Sequence, residues 1–365
     1  MNDTAELQAI RSSSLKPKED SLRSIFGNKS DAIAYAFIKE QLEQKYSPTI
    51  QIITEANKKH LIQGEGKSTA FVDLRLLNQI YKPNVHFQTI NKMLPEMGLF
   101  IGCVETISER KNRLRTQLPK LLFKPVWVAD FMFNRVLPKV GLTRRLYSFA
   151  TKSRYHVLSK AEVLGRLSYC GFEIIDYKII SNRLYYSVLK TGKPKTDLNP
   201  SYGIIFKMRR VSKNGKIIGV YKVRTMHPYS EYIQDYVVRI NGYNKNGKPN
   251  HDFRLTSWGK TIRRYYLDEI PQLLNVVRGE LNLVGVRPLS EFGFRALPEA
   301  LQKERIKYKP GCIPPNVSLG ITGFKGVIHA ERIYLNSMKN NAFLTNFRFF
   351  WMAMYNIISR KSQSS

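Results

Sequence analysis

Residues 265–288 read YYLDEIPQLLNVVRGELNLVGVRP. Two adjacent acids, Asp268 and Glu269, precede a proline and an apolar run, in a chain with 59 Lys and Arg against 28 Asp and Glu. Pro271 suits the first turn of a helix, where a missing N–H costs nothing. The run QLLNVV continues that predicted helix to Gly279. The acids then stand at its N-terminal mouth, where aligned peptide dipoles stabilise negative charge. Arg263 and Arg264 push the same way. An oxygen nucleophile or a hard-cation ligand needs such a setting, and so does a plain helix cap. The local residues leave both roles open.

Working outward, the segment 252–264, DFRLTSWGKTIRR, holds an R-x-T-x-x-G pattern at Arg254, Thr256 and Gly259. Before it, KMRRVSKNGKIIGVYKVRTM alternates as a β-hairpin would, turning at Asn214-Gly215. Strand alternation puts Lys222 and Arg224 on one face. After the acids come VGVRP, with Arg287 and Pro288, and KYKPG at 307–311. Arginine suits bidentate contacts to phosphate. Each of these arginines can equally be a solvated charge or the partner of an acid such as Glu280. The tail NAFLTNFRFFWMAMYNIISRK reads as an aromatic-rich helix, either core or membrane-facing.

The ordered series VYKVRTM, R-x-T-x-x-G, the acid pair, VGxRP and KYKPG resembles the bacterial sugar transferases, the monotopic phosphoglycosyl transferases. The resemblance covers about residues 200–312. It implies transfer of a sugar-1-phosphate from a nucleotide diphosphosugar, commonly a UDP-sugar, to polyprenyl phosphate. It also implies that Asp268 is the nucleophile of a covalent phosphosugar intermediate and that Glu269 helps hold Mg²⁺. Lys222, Arg224, Arg254, Arg263, Arg264, Arg287 and Pro288 are then expected around the substrate. Two features depart from the family. Val286-Arg287-Pro288 stands where Pro-Arg-Pro is usual. The family's re-entrant membrane helix is replaced by EIIDYKIISNRLYYSVLKTGKPKTDLNP, which reads as hairpin and linker.

The first half is organised differently. Residues 1–30 read as a flexible arm. From 31 a helix and a short strand IQIITE are expected, then a helix ending near Met93, a turn at Pro95–Gly98 and a buried strand at 99–104. Ser159 with Glu162 has capping-box spacing, and Ser181-Asn182 is a turn between two strands. This order faintly resembles the last third of a class I methyltransferase. The glycine-rich loop is missing, since GEG at 64–66 follows no clear strand, so a module without cofactor is expected; an unrelated α/β module fits as well. Its insert, 117–154, mixes Leu121, Leu122, Val126, Trp127, Phe131, Phe133 and Leu137 with Lys120, Lys124, Arg135, Lys139, Arg144 and Arg145, and has Asp130 as its one acid. That mixture fits a helix in a membrane interface, or an internal helical hairpin with a solvated basic face.

The totals agree with this division. The 365 residues allow two domains, and 43% hydrophobic content supports real cores. A net charge of +31 calls for anionic company: nucleic acid, an anionic membrane or phosphorylated substrates. No nucleic-acid recognition motif accompanies the charge. Cys103, Cys170 and Cys312 are scattered, without metal-ligand spacing, and suit a reducing compartment. No spanning helix is expected. The predicted architecture is α/β: a Rossmann-like module at 31–192, a linker at 193–203, and a compact α+β phosphoglycosyl transferase domain at 204–365. The expected setting is the cytoplasmic face of a bacterial inner membrane, with a nucleotide sugar, a lipid phosphate and the anionic surface as partners. The alternative is a non-catalytic scaffold that keeps the fold in a glycan or secretion assembly.

Overall fold

The computed structural model describes residues 29–44, 50–53, 68–137, 147, 149, 157–195, 204–242 and 249–359. Residues 1–28 of the predicted arm, the GEG stretch, most of the insert beyond 137, with Lys139, Arg144 and Arg145, and most of the linker lie outside these residues; 29 and 30, placed in the arm by the sequence reading, belong to the first helix. The chain is α/β and divides into two compact units. One comprises Met1–Leu198 with Tyr229–Tyr236; the other comprises Asn199–Pro228 with Val237–Ser365.

The first unit opens with α1 (Lys29–Gln44), β1 (Ile50–Ile53), β2 (Ala70–Leu76), α2 (Pro83–Met93) and β3 (Leu99–Val104). Next come α3 (Ile107–Gln117), α4 (Lys120–Phe131), α5 (Lys160–Tyr169), β4 (Phe172–Ile180) and β5 (Arg183–Lys190). The sheet order is β1-β2-β3-β5-β4. β1, β2 and β3 run parallel, and the β4–β5 hairpin joins antiparallel through β5. Successive residues of β2 and β3 serve opposite faces. Ala70, Val72, Leu99 and Ile101 pack with Phe37 and Ile38 of α1. Phe100 on the other face meets Phe87, Phe172 and Tyr186 edge-on or tilted, with ring centroids 5.6–6.1 Å apart. Gly102 leaves the space for the Tyr186 hydroxyl, which an added Cβ would meet at 2.4 Å.

Local signals set the joints. The Ser159 hydroxyl accepts from the Glu162 N–H (3.1 Å) and starts α5. The Glu162 carboxylate takes Arg135 and Arg166. Ser181 and Asn182 both take positive φ, 48° and 59°, to turn the hairpin. Tyr229 and Tyr232, late in sequence, meet Tyr169 of α5 edge-on, with ring centroids 5.4 and 5.1 Å apart.

The second unit begins with the hairpin β6 (Ile205–Val211) and β7 (Ile217–Val223), turned where Asn214 and Gly215 take positive φ. It continues through α6 (Ser257–Arg264), a 3₁₀ turn at Leu267–Gln272, α7 (Leu273–Val277) and β8 (Asn282–Val284). Then follow α8 (Glu299–Arg305), β9 (Gly311–Ile313), α9 (Gly323–Asn340) and α10 (Ala342–Ile358). β8 and β9 pair in parallel. Their approach depends on glycine: a Cβ on Gly311 would lie 2.0 Å from the Gly285 nitrogen. This contact ties VGVRP to KYKPG. The core behind it is Val284, Val286, Leu297, Leu301, Tyr334, Leu335 and Phe349. The tail helix α10 is both core and surface, with Phe349 and Ala353 buried and Phe343, Phe347, Trp351 and Tyr355 exposed. Among the described residues no helix is long and apolar enough to cross a membrane.

Candidate active site

The segment that carries the acids differs from the helix predicted for it. Tyr266 takes the left-handed conformation (φ 57°) and starts a 3₁₀ turn at Leu267, which contains Pro271. The α-helix proper is only Leu273–Val277, and the chain leaves it through Gly279 at φ 69°. Pro271 has no N–H to donate and its ring crowds the carbonyl four residues back, so a regular α-helix does not run through this segment. Asp268 and Glu269 therefore sit inside a 3₁₀ turn, not at the mouth of a long helix. Their charge is met by a side chain rather than by helix dipoles. The Lys222 ammonium lies 2.9 Å from an Asp268 oxygen and 3.1 Å from a Glu269 oxygen. Three residues per turn also stack Glu269 over Gln272, and both line one cavity of about 240 Å³.

The cavity walls come from several elements. β6 and β7 supply Met208, Arg210, Val220 and Lys222; the stretch after β8 supplies Arg287, Pro288 and Ser290; Cys312 of β9 and Pro314 close it. Asp268 is fully buried behind this wall, while Glu269 faces the space. The Cys312 thiol is pushed up to about 12 by burial and by the charge of Glu269. It stays protonated at neutral pH and is no thiolate nucleophile.

The sequence candidates do not all meet here. Lys222, Glu269, Arg287 and Pro288 reach the cavity. Asp268 touches it through Lys222. Arg263 donates to the Thr225 hydroxyl (2.8 Å). Burial lowers the Arg263 guanidinium from its ordinary value, and the charges of Asp268 and Asp252 oppose this. Arg224 is buried under Phe206, 4.7 Å from its ring, and does not line the cavity. Arg264 is exposed and also lies off it. Arg254 is buried in a two-point pair with Asp252 (2.8 and 2.7 Å). Burial raises the Asp252 carboxyl, but the hydrogen bonds and charge of Arg254 outweigh this and hold it low. Arg254 does not line the cavity. Thr256 donates to the Thr225 carbonyl (2.8 Å) and accepts from the Gly259 N–H (3.0 Å), which pins the end of VRTM to α6.

Three groups escaped the sequence reading. Arg210 lines the cavity and donates to the Arg209 carbonyl (2.8 Å) and to the Met208 sulfur (3.0 Å). Burial and the nearby Arg287 lower its guanidinium from the ordinary value, though arginine keeps its charge. The hairpin register contained this signal, because Phe206 pairs with Lys222, Met208 with Val220 and Arg210 with Ile218. Opposed residues share a face, so Arg210 lies on the Lys222 side. Gln272 is buried against the cavity, and its amide oxygen has no hydrogen-bond partner among the described residues. Behind Arg287 lies a buried pair: Glu331 accepts from the Arg287 N–H (2.9 Å) and faces Arg305 at 3.4 Å, while Arg305 donates to the Arg287 carbonyl. Nothing local in the sequence joins these positions.

A last anchor fixes the turn itself. The Asn275 amide donates to the Gly219 carbonyl (2.9 Å) and to Glu280 (2.5 Å), and accepts from the Tyr221 N–H (3.0 Å). It clamps α7 to β7 and so sets Lys222 opposite the acids.

Residues 195–360 match the family described as bacterial sugar transferase. These residues belong to that family. The transferase half is 35% identical over 136 residues to the galactosyl transferase CpsE of Streptococcus agalactiae, covering 36% of this chain and 30% of that protein. It is 35% identical over 112 residues to the undecaprenyl-phosphate galactose phosphotransferase of Salmonella typhimurium, covering 29% of this chain and 21% of that one. A UDP-N-acetylgalactosamine-undecaprenyl-phosphate N-acetylgalactosaminephosphotransferase of Aeromonas hydrophila is 30% identical over 126 residues, 34% of this chain and 26% of that one. The matched stretches thus span about a fifth to a third of these relatives' lengths.

Proposed function

We propose that this protein is a phosphoglycosyl transferase. It moves a sugar-1-phosphate from a nucleotide diphosphosugar, a UDP-sugar, to polyprenyl phosphate or a related lipid phosphate in surface polysaccharide or glycolipid assembly. It would work at the cytoplasmic leaflet of a bacterial inner membrane. The observation that carries this is the Asp268–Lys222–Glu269 cluster beside a cavity walled by Arg210 and Arg287. An acid pair bridged by one lysine, facing two arginines, suits a substrate with two phosphates. The names of the relatives support the same reaction class.

In the first step a carboxylate oxygen of Asp268 attacks the β-phosphorus. The bond to the nucleotide breaks, and its electron pair leaves with UMP. In the second, an oxygen of the lipid phosphate attacks the phosphosugar on Asp268 and the carboxylate returns. The covalent intermediate divides one difficult displacement into two easier ones. Asp268 lies buried beneath Lys222, so the lysine has two duties. In the free protein it holds both carboxylates; when the diphosphate enters, it turns to the phosphoryl oxygens and opens the path to Asp268. Arg210 and Arg287 orient the diphosphate from the opposite wall.

Magnesium fits this donor set. Glu269 is the acid that faces the cavity, and one carboxylate with water and diphosphate oxygens makes a suitable shell. Among the described residues no cluster of three or more His, Cys, Asp or Glu could cage a metal, so most ligands would come from substrate and water. When bound, the ion neutralises charge on the diphosphate and departing nucleotide.

The test is nucleotide release. Purified protein with Mg²⁺, a panel of UDP-sugars and undecaprenyl phosphate should form UMP, and Asp268→Asn should abolish it. The panel names the sugar. Absence of both UMP and donor binding would overturn the assignment in favour of a scaffold that keeps the transferase fold.

A further inference from the structure

The insert helix α4 is built inside out. A helix on a protein surface ordinarily turns its polar side to water. In α4 and the turn that follows it, the exposed side chains from 120 to 133 are all apolar except Lys120 and Lys124. Leu121 is 86% exposed and Val128 58%, and Leu122, Val126, Met132 and Phe133 are exposed with them. At about 100° per residue these side chains share one arc of roughly 160°, with the two lysines along one edge. The opposite, half-buried face is the one that carries polar bonding. Asp130 takes the Arg110 guanidinium at 2.8 and 2.6 Å, and Trp127 packs on Phe131 at 5.7 Å. This inward bonding holds α4 in place with its apolar arc outward.

The surrounding charge says what covers that arc. Lys111, Arg115, Lys120 and Lys124 are exposed, and none makes an ion pair among the described residues. The nearby acids point inward: Glu105 binds Arg110 and Arg113, Asp130 binds Arg110, and Glu109 is buried. The outer surface of α3 and α4 is therefore cationic and apolar. A second copy of this chain is a poor match, since two molecules of net charge +31 repel each other. An anionic bilayer matches both properties: its acyl boundary accepts the arc and its headgroups accept the lysines.

We propose that α4 is a membrane-docking helix of the first unit, lying in the plane of an anionic phospholipid surface with Leu121, Val128 and Met132 inserted. This stands apart from the transferase chemistry and holds whether or not UMP is formed. A probe placed on the arc tests it. The full-length protein with Leu121→Cys in a Cys312→Ser background carries an environment-sensitive dye; the remaining cysteines, Cys103 and Cys170, are buried. Vesicles containing phosphatidylglycerol should shift the emission to the blue, and a quencher in the acyl chains should extinguish it. Pure phosphatidylcholine should act far more weakly. In unlabelled protein, Leu121→Ser with Val128→Ser and Met132→Ser should lower vesicle partition at least about tenfold, and Lys120→Gln with Lys124→Gln roughly thirtyfold on anionic vesicles. All five positions are on the surface, so circular dichroism should be unchanged. Vesicle binding without a dye response would place the lipid contact elsewhere and overturn the proposal. A dye response that rises with protein concentration in the absence of vesicles would show a second copy on this face and overturn it too, as would no vesicle binding at all.

Discussion

Removing the Glu331 carboxylate should loosen both the second unit and its cavity. Glu331 is fully buried, faces Arg305 at 3.4 Å, and accepts the Arg287 N–H at 2.9 Å. Arg305 is itself only 4% exposed. In Glu331→Ala a buried guanidinium loses its counter-charge and a buried N–H loses its acceptor. Breaking such a pair from one side costs about 3–5 kcal/mol, whereas an exposed pair would contribute about 0–1 kcal/mol. At roughly 2–4 °C per kcal/mol for a domain of this size, thermal unfolding should fall by about 6–20 °C. Arg305→Ala should cost a similar amount, and the double variant far less than the sum, with a coupling of at least about 1.5 kcal/mol. UMP release should decline with a raised KM for the donor, because Arg287 hangs from this pair. Calorimetry of the four proteins is the assay. Single losses that add within about 0.5 kcal/mol would refute the coupling, and a Tm drop of only about 1–2 °C would refute the buried-charge account. The pH dependence supplies a further check. Burial raises the Glu331 carboxyl above its ordinary value of 4.5, with Arg305 opposing. A carboxyl raised on folding contributes stability that is fully present below its unfolded value and is lost as pH rises through its folded value. Glu331→Gln removes that titration, so the variant should gain on the wild type as pH rises from 4.5.

Other expectations concern the cavity and its frame. Arg210→Gln should raise the donor KM by roughly tenfold or more, as loss of a charged hydrogen bond implies, with a smaller change in kcat; an unchanged KM would remove Arg210 from the donor site. Asp252→Asn should cost stability at neutral pH. The Asp252 carboxyl is held below its ordinary value of 3.8, so its contribution is present above that value and lost as pH falls through the folded one. The gap to wild type should therefore close in acid, and a gap that is constant down to pH 2 would count against the Arg254 pairing. Gly311→Ala, which brings a Cβ within 2.0 Å of the Gly285 nitrogen, should destabilise the second unit by about 1–3 kcal/mol in denaturant titration. Asn275→Leu removes three hydrogen bonds at a buried position. It should lower both the unfolding midpoint and UMP release, whereas a stable variant with full activity would show that α7 needs no such clamp.

Much of the backbone was written locally. The positive φ values at Ser181-Asn182 and Asn214-Gly215 follow from residues that tolerate them. The helix, turn and strand between Pro83 and Val104, and the Ser159 cap, followed from periodicity and capping chemistry. The order of motifs in 200–312 pointed to the transferase fold, and the family match extends over 195–360. These features depend on φ/ψ preference and side-chain spacing, which neighbouring residues decide. What holds Asp268 and Glu269 is a different matter. Lys222 is 46 residues from Asp268, and its place between the acids is set by hairpin register and by Asn275. Arg254 and Arg287 look alike in sequence, yet one is bound by Asp252 and the other lines the cavity. Glu331 and Arg305 become a pair only when α8 and α9 pack. For α4 the sequence left two readings open, an interfacial helix or an internal hairpin, because a helical stripe records which residues share a side but not which side faces water. That choice belongs to packing, where the burial of Asp130 against Arg110 turned the stripe outward.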